Sequence, residues 1–419
     1  MRLLLKSATI IDSDSSYHLK TKDILIIDNL IESIEDHIDE DADKVIVLEN
    51  LHVSPGWFDS SVSFGEPGFE DRETIQNGLE TAMKSGFTKI ALNPNTDPVI
   101  DHSALIQFVK TKSEEHLVDI LPTGALTKQS KLQNLAELYD MYQNGAVAFG
   151  DYKKSTSNTN LLKIGLQYVK TFNGLIQLHP VDNHLSENFQ MHEGEMSTSL
   201  GLTGLPNMAE VIQLKRDLEV VKYTEGKAHF SCISTAESVE LLRQAKKDGL
   251  DVTCSVAIAN LIFTDSHLKD FDTKYKVRPP LRAERDKNAL IKGLQDGIIN
   301  MVTTDHNPIN VELKKTEFEN AAFGSIGLET AFGALNNFFG LEQCIEFLTR
   351  GKQRFKRPKN TVEPKQVADL SLFNPEIEYT FTERDIFSKS KNSIFLNEKL
   401  KGKVYGVVNN SKFYVSNTK

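Results

Sequence analysis

Along much of the chain a polar stretch with helical spacing ends in glycine, and a short apolar run follows. Gly86 precedes Phe87-Thr-Lys-Ile-Ala-Leu92, Gly145 precedes Ala146-Val-Ala-Phe149, and Gly174 precedes Leu175-Ile-Gln-Leu178. Gly226, Gly249 and Gly297 stand in the same way before runs at 227–230, 250–253 and 298–302. Glycine just past a helix end is the usual left-handed stop, and a strand buried on both faces of a parallel sheet reads as a short apolar run. Apolar residues three and four apart predict helices over 73–85, 160–172, 208–223, 236–247 and 284–295. Two more runs, 53–58 and 118–123, bring the strands to eight. Eight strands alternating with helices predict a closed parallel (β/α)8 barrel. An open doubly wound sheet is the alternative. It would want a glycine-rich phosphate turn after the first strand, and Gly65-Glu-Pro-Gly68 lacks that spacing.

The ends have a different texture. Strand-like runs at 3–11, 24–27 and 45–48, and again at 370–373, 404–408 and 413–415, are separated by turns. They predict a small β-sandwich domain built from both termini, 1–53 and 363–419, on a barrel spanning 54–362.

Composition narrows the function. The 419 residues carry 48 Lys+Arg against 58 Asp+Glu, a net charge of −10, which argues against a nucleic-acid or anionic-membrane partner. Three cysteines, Cys232, Cys254 and Cys344, are too few and too scattered for a disulfide framework or a CxxC zinc knuckle. The first twelve residues meet acid too early for a signal peptide, and no apolar run approaches ~20 residues, so a cytoplasmic protein is expected. Eleven histidines keep a metal site open.

In a barrel the chemistry sits where strands run into the loops that follow. Those positions hold Asp59, Ser61 and Ser63, then Asn93 and Asn95, Thr123, Asp151, His179, Cys232, and finally Asp305-His306. Asp151, His179, Cys232 and Asp305 could together ligate a divalent metal. Each has a plainer reading. Either aspartate could cap a loop, His179 could be a satisfied buried imidazole, and Cys232 a small buried apolar group.

These residues lie within longer motifs. They include Pro55-Gly-Trp-Phe-Asp59, Pro94-Asn-Thr-Asp-Pro-Val-Ile-Asp101, Pro279-Pro-Leu-Arg282, Thr304-Asp-His306, Phe323-Gly-Ser-Ile-Gly-Leu-Glu-Thr330 and Ser388-Lys-Ser-Lys-Asn392. By these motifs the chain resembles, almost end to end, the dihydroorotases of the amidohydrolase superfamily, in the longer class related to allantoinases and hydantoinases. The resemblance implies the same barrel and β-sandwich. It implies reversible ring closure of carbamoyl-aspartate to dihydroorotate in pyrimidine synthesis.

The resemblance also assigns positions, and the chain departs from several. The family's paired histidines after the first strand are Ser61 and Ser63. Its bridging carboxylate is Asp151, its strand-five histidine is His179, and its strand-six histidine is Cys232. Asp305 holds the general-base position. Asn95 keeps a substrate contact, but the carboxylate-gripping arginine is Gly65, the asparagine before Pro-Pro-Leu-Arg is Arg278, and a late histidine is Ile309. Serine hydroxyls are weak zinc ligands, and glycine and isoleucine cannot replace a charged anion clamp. The expectation is no cofactor, or a single zinc on Asp151, His179, Cys232 and Asp305. Without a dication, Asp151 and Asp305 would face each other and need another cation. Arg278, Lys153 or Lys154 could supply it, although both lysines read as lying past the strand end in solvent.

Three functions follow. The first is a non-catalytic homologue acting as a structural partner, with aspartate transcarbamoylase as the partner the family implies and at least a homodimer as the assembly. The second is an active dihydroorotase or other cyclic-amide hydrolase with a reduced metal site. The third is a sensor that binds carbamoyl-aspartate or a related metabolite without reacting it.

Overall fold

Eight strands, all parallel and paired in sequence order, form the barrel of this computed structural model, which describes residues 1–416. They are β1 (Trp57–Val62), β2 (Phe87–Leu92), β3 (Asp119–Gly124), β4 (Ala148–Phe149), β5 (Ile176–Leu178), β6 (Ala228–Phe230), β7 (Val252–Ala257) and β8 (Met301–Thr303). The ladder runs from β1 to β8. At the remaining seam, side chains do the joining. Asp59 on β1 accepts from Thr303 Oγ1 at 2.5 Å and from Thr304 N at 2.9 Å, and Ser63 N donates to His306 O at 2.8 Å.

The intervening helices form as their sequences dictate. Thr74 caps helix Ile75–Lys84 by accepting from Asn77 N, and Thr235 caps Ala236–Lys247 by accepting from Ser238 N. Gly86 follows the first of these at φ +90°. At Gly174 and Gly226 the left-handed residue is instead the one before, Asn173 or Glu225, so those glycines mark the boundary without making the turn. The barrel interior is packed at its amino-terminal end by Phe58, Ala91, Leu121 and Met301, with Phe355 as a plug. Between the strands and the outer layer lies the main core, where Trp57 meets Phe87, Phe332 and Phe373.

The expected strand at 53–58 is two strands. His52–Pro55 pairs antiparallel with Leu370–Thr380 in the terminal sheet, and Trp57 begins the barrel. Gly56 is the break. A Cβ there would stand 1.9 Å from Asp369 Oδ1, so only glycine admits the buried cluster in which Asp369 accepts from Lys89 Nζ at 2.6 Å. Eight strands from the two chain ends make the terminal sheet. Arg2–Ile10 serves it twice along one edge. Leu3 to Leu5 pair with Lys44–Ile46, and Thr9 and Ile10 with His52–Pro55. The strand thereby spans two layers that enclose Leu3, Leu5, Ile24, Ile26, Val53, Leu370 and Leu372. Among the described residues no helix is long and apolar enough to cross a membrane.

Candidate functional site

The loops after β4, β5, β6 and β8 bring Tyr152, Lys153, His179, Cys232 and Asp305 to the carboxyl-terminal mouth of the barrel. Tyr152, Cys232 and Asp305 have φ of +56°, +55° and +50°. Left-handed backbone at non-glycine residues costs about 1–3 kcal/mol each and persists where the surroundings enforce it.

The two aspartates do not share one cation. Asp151 turns toward the loop after β3, accepting from Thr127 N at 3.1 Å and Thr127 Oγ1 at 2.9 Å. Asp305 Oδ2 lies 2.5 Å from Lys153 Nζ, and the two side chains are only 11% and 13% exposed. Burial pulls a lysine's pKa down. Here the Asp305 carboxylate, with Tyr152 and Cys232 behind it, outweighs burial and holds Lys153 above the usual lysine range. Lys153 is therefore an internal cation and not a solvated residue. It follows a left-handed residue, which turns the chain locally. Lys154 remains exposed and donates to Ser130 O at 3.2 Å. Arg278 is half-buried, with its guanidinium 5.5 Å from the Phe189 ring centroid, and its Nε has no hydrogen-bond partner. The cation beside Asp305 is thus Lys153, not Arg278.

His179 Nδ1 lies 3.3 Å from Ser231 O. Burial, with Arg278 and Lys153 near it, pushes its pKa down to about 3, so the ring is neutral at physiological pH. Burial pushes the Cys232 thiol well up, which keeps it protonated. The two serines are engaged by β2. Asn93 Nδ2 donates to Ser61 Oγ at 3.1 Å and to Ser63 Oγ at 3.3 Å, while Ser63 Oγ donates to Asn95 Oδ1 at 3.0 Å. Gly65 has no room for any side chain, because a Cβ would stand 1.8 Å from Phe69 O. Ile309 is buried, and its N–H donates to Asn392 Oδ1 at 3.1 Å.

These residues do not fit a bound dication. Asp151 gives both oxygens to Thr127, Lys153 places an ammonium on Asp305, and the hydroxyls of Ser61 and Ser63 are held by asparagines. Among the described residues no three His, Cys, Asp or Glu side chains come together as a metal-holding group. Space is short as well. The cavity against Asp305, Thr304 and Asn260 measures about 20 Å³, the scale of one water, where small-molecule sites run to about 300–1,000 Å³. A cleft of about 960 Å³ lies at the opposite end of the barrel, between Asn300, Glu346 and Lys352, away from all of these groups.

A second buried cluster adjoins the mouth. Segment 388–392 crosses it, with Ser388 N donating to Glu329 Oε1 at 3.0 Å and Lys389 N to Glu73 at 3.4 Å. Burial, then the charge of Glu329, raises the Glu73 pKa to about 8, and His306 Nε2 lies 4.0 Å from its carboxyl. Sequence reasoning singled out the 388–392 motif but not Glu73, nor Tyr152 as a turn. The only available signal for Lys153 was its place two residues after Asp151, which does not say where its side chain goes.

Comparison with known proteins agrees with the barrel and its motifs. Residues 51–238 match the family model described as Dihydro-orotase-like. A dihydroorotase of Pelotomaculum thermopropionicum is 37% identical over 409 residues, covering 96% of each chain. One from Caldanaerobacter subterraneus subsp. tengcongensis is 36% identical over 427 residues, covering 100% of this chain and 99% of its own. Among solved structures, the L-hydantoinase (dihydropyrimidinase) of Arthrobacter aurescens superposes with a TM-score of 0.86 at 22% identity, covering 100% of this chain and 96% of that one. Identity of 36–37% over nearly the full length of both chains places the chain in the dihydroorotase family.

Proposed function

We propose that this chain is a non-catalytic member of its family, a dihydroorotase homologue that serves pyrimidine biosynthesis as a structural partner of aspartate transcarbamoylase. The observation that carries the reading is the Lys153 ammonium on Asp305. Ring opening of a cyclic amide needs a polarised carbonyl and an activated water, and bound metal supplies both in sites of this type. Here the general-base position is neutralised by a lysine. His179 is neutral, and Gly65 leaves no place for a carboxylate-gripping side chain. What remains around that mouth is a closed frame, with the β1–β8 seam, the terminal sheet and the 388–392 crossing.

The partner is tested by co-expressing the chain with aspartate transcarbamoylase of the same source and separating the products by size-exclusion chromatography. A shared peak of larger size is expected, and independent elution rejects this partner. A second reading, an active cyclic-amide hydrolase that converts dihydroorotate to carbamoyl-aspartate, draws on Asp305 Oδ1, which has no hydrogen-bond partner. That reading requires turnover that Asp305→Asn abolishes.

A further inference from the structure

Segment Arg350-Gly-Lys-Gln-Arg-Phe-Lys-Arg-Pro-Lys359 carries six cations and no acid, in a chain whose net charge is −10. Its Phe355 plugs the amino-terminal end of the barrel, with ring centroids 5.2 Å from Phe58 and 5.6 Å from His229, and so draws the flanking cations under the barrel. There they line the cleft of about 960 Å³, a volume in the range of small-molecule sites. Six buried lysine or arginine nitrogens lack a hydrogen-bond partner among the described residues. Four of them, Arg350 Nε, Lys352 Nζ, Arg354 Nε and Arg357 Nε, belong to this segment, and the first three residues line the cleft. Lys352 is 0% exposed. The carboxylate it reaches is Asp369, 3.5 Å away, and that oxygen already accepts from Lys89 Nζ at 2.6 Å and from Asn360 Nδ2 at 2.9 Å. Two ammoniums on one carboxylate leave a positive charge unmatched, and buried donors without acceptors cost free energy until something supplies lone pairs.

The two arginines are only partly spent. Arg350 donates to Glu346 and to Leu294 O, both at 3.0 Å, and Arg354 donates to Asp251 and to Ala228 O, which leaves the Nε of each without a partner. Such donors call for an acceptor-only group, and an oxyanion with several oxygens answers them together. The loop at 12–18 and helix Leu341–Thr349 bring the opposite charge to the same cleft, as Asp12, Asp14 and Glu342. Asp12 accepts from Asp14 N at 3.2 Å and Val362 N at 2.8 Å, Asp14 pairs with Lys359, and Glu342 lies 3.3 Å from His18 Nε2. Carboxylates with lone pairs to spare accept from hydroxyls and repel a second anion. We infer that this cleft binds a phosphorylated sugar, with the phosphate on Arg350, Lys352 and Arg354 and the sugar hydroxyls on the carboxylates of that loop and helix. A lone phosphate would leave the carboxylates unused, and an unphosphorylated sugar would leave the buried donors unmatched. The site lies at the opposite end of the barrel from Asp305 and does not depend on the chemistry of the mouth.

Isothermal titration calorimetry of the full chain tests it, with glucose 6-phosphate, inorganic phosphate and glucose as probes. One glucose 6-phosphate per chain is expected, inorganic phosphate should bind about tenfold more weakly, and glucose should give no saturable heat. Lys352→Met should weaken glucose 6-phosphate binding by about tenfold or more while the chain stays folded, because Lys89 and Asn360 still hold Asp369. Arg350→Gln, at a half-buried position, should weaken it likewise and gives the same readout if Lys352→Met unfolds the chain. No saturable binding of glucose 6-phosphate, or binding that neither variant weakens, overturns the site. Glucose binding as tightly as its phosphate overturns the role of the cations, and inorganic phosphate binding as tightly as the ester overturns the role of the carboxylates.

Discussion

Lys153 decides the chemistry of the mouth. It sits on Asp305 in a nearly buried pair, so removing one partner strands the other. Lys153→Met should lower stability by about 3–5 kcal/mol in denaturant unfolding, and adding Asp305→Asn should recover most of the loss. If Lys153→Met is neutral, the pair is not a structural cation site. Gly65 sharpens the same point. Gly65→Arg, the side chain the resemblance implies there, would drive a Cβ into Phe69 O, so the variant should melt several degrees lower and gain no turnover. Both residues also mark the limit of sequence reading. That serine and glycine stand at 61, 63 and 65, where the resemblance implies histidines and an arginine, was legible as residue types. That Lys153 folds inward was not, because the direction of a side chain after Tyr152 depends on a left-handed backbone that no residue pattern announces.

At the scale of elements, the segment at 388–392 is held over the mouth by Glu73 and Glu329, whose carboxyl pKa values burial raises. Glu73 titrates near 8 in the folded chain against an ordinary value of 4.5. A raised carboxyl pKa means that the folded state holds its proton longer than the unfolded state. Its stabilising contribution is full below 4.5 and declines as the pH rises toward 8, by a few kcal/mol in all. Glu73→Gln should flatten that decline in unfolding curves measured from about pH 5 to 8. An unchanged slope would show that Glu73 ionises normally. The helices themselves were largely readable. Those over 236–247 and 284–295 match helices Ala236–Lys247 and Glu284–Gln295 to the residue, from apolar spacing in both and from the Thr235 cap in the first. Strand limits were less so. The run at 53–58 reads as one strand, yet it divides between two sheets at Gly56 because Asp369 approaches from the far end of the chain. Pro55-Gly56 marks a break locally, but the partner that requires it lies more than three hundred residues away.

For the whole molecule, a closed barrel frame surrounds a mouth occupied by its own side chains. The seam between β1 and β8 illustrates the frame: Asp59 accepts from Thr303 Oγ1, from Thr304 N and Oγ1, and from the Ser61 N–H. Asp59→Ala should cost several kcal/mol and promote aggregation, since it takes the acceptor from Ser61 N, Thr304 N and Thr304 Oγ1 at the closure of the barrel. The mouth is where the functional account stands or falls. Its central claim is that Lys153, not a metal, neutralises Asp305. The most direct measurement is elemental analysis of the chain purified from zinc-supplemented cells, with dihydroorotate turnover assayed on the same sample. The account predicts zinc far below one per chain and no turnover above background. Stoichiometric zinc together with turnover that Asp305→Asn abolishes would contradict it.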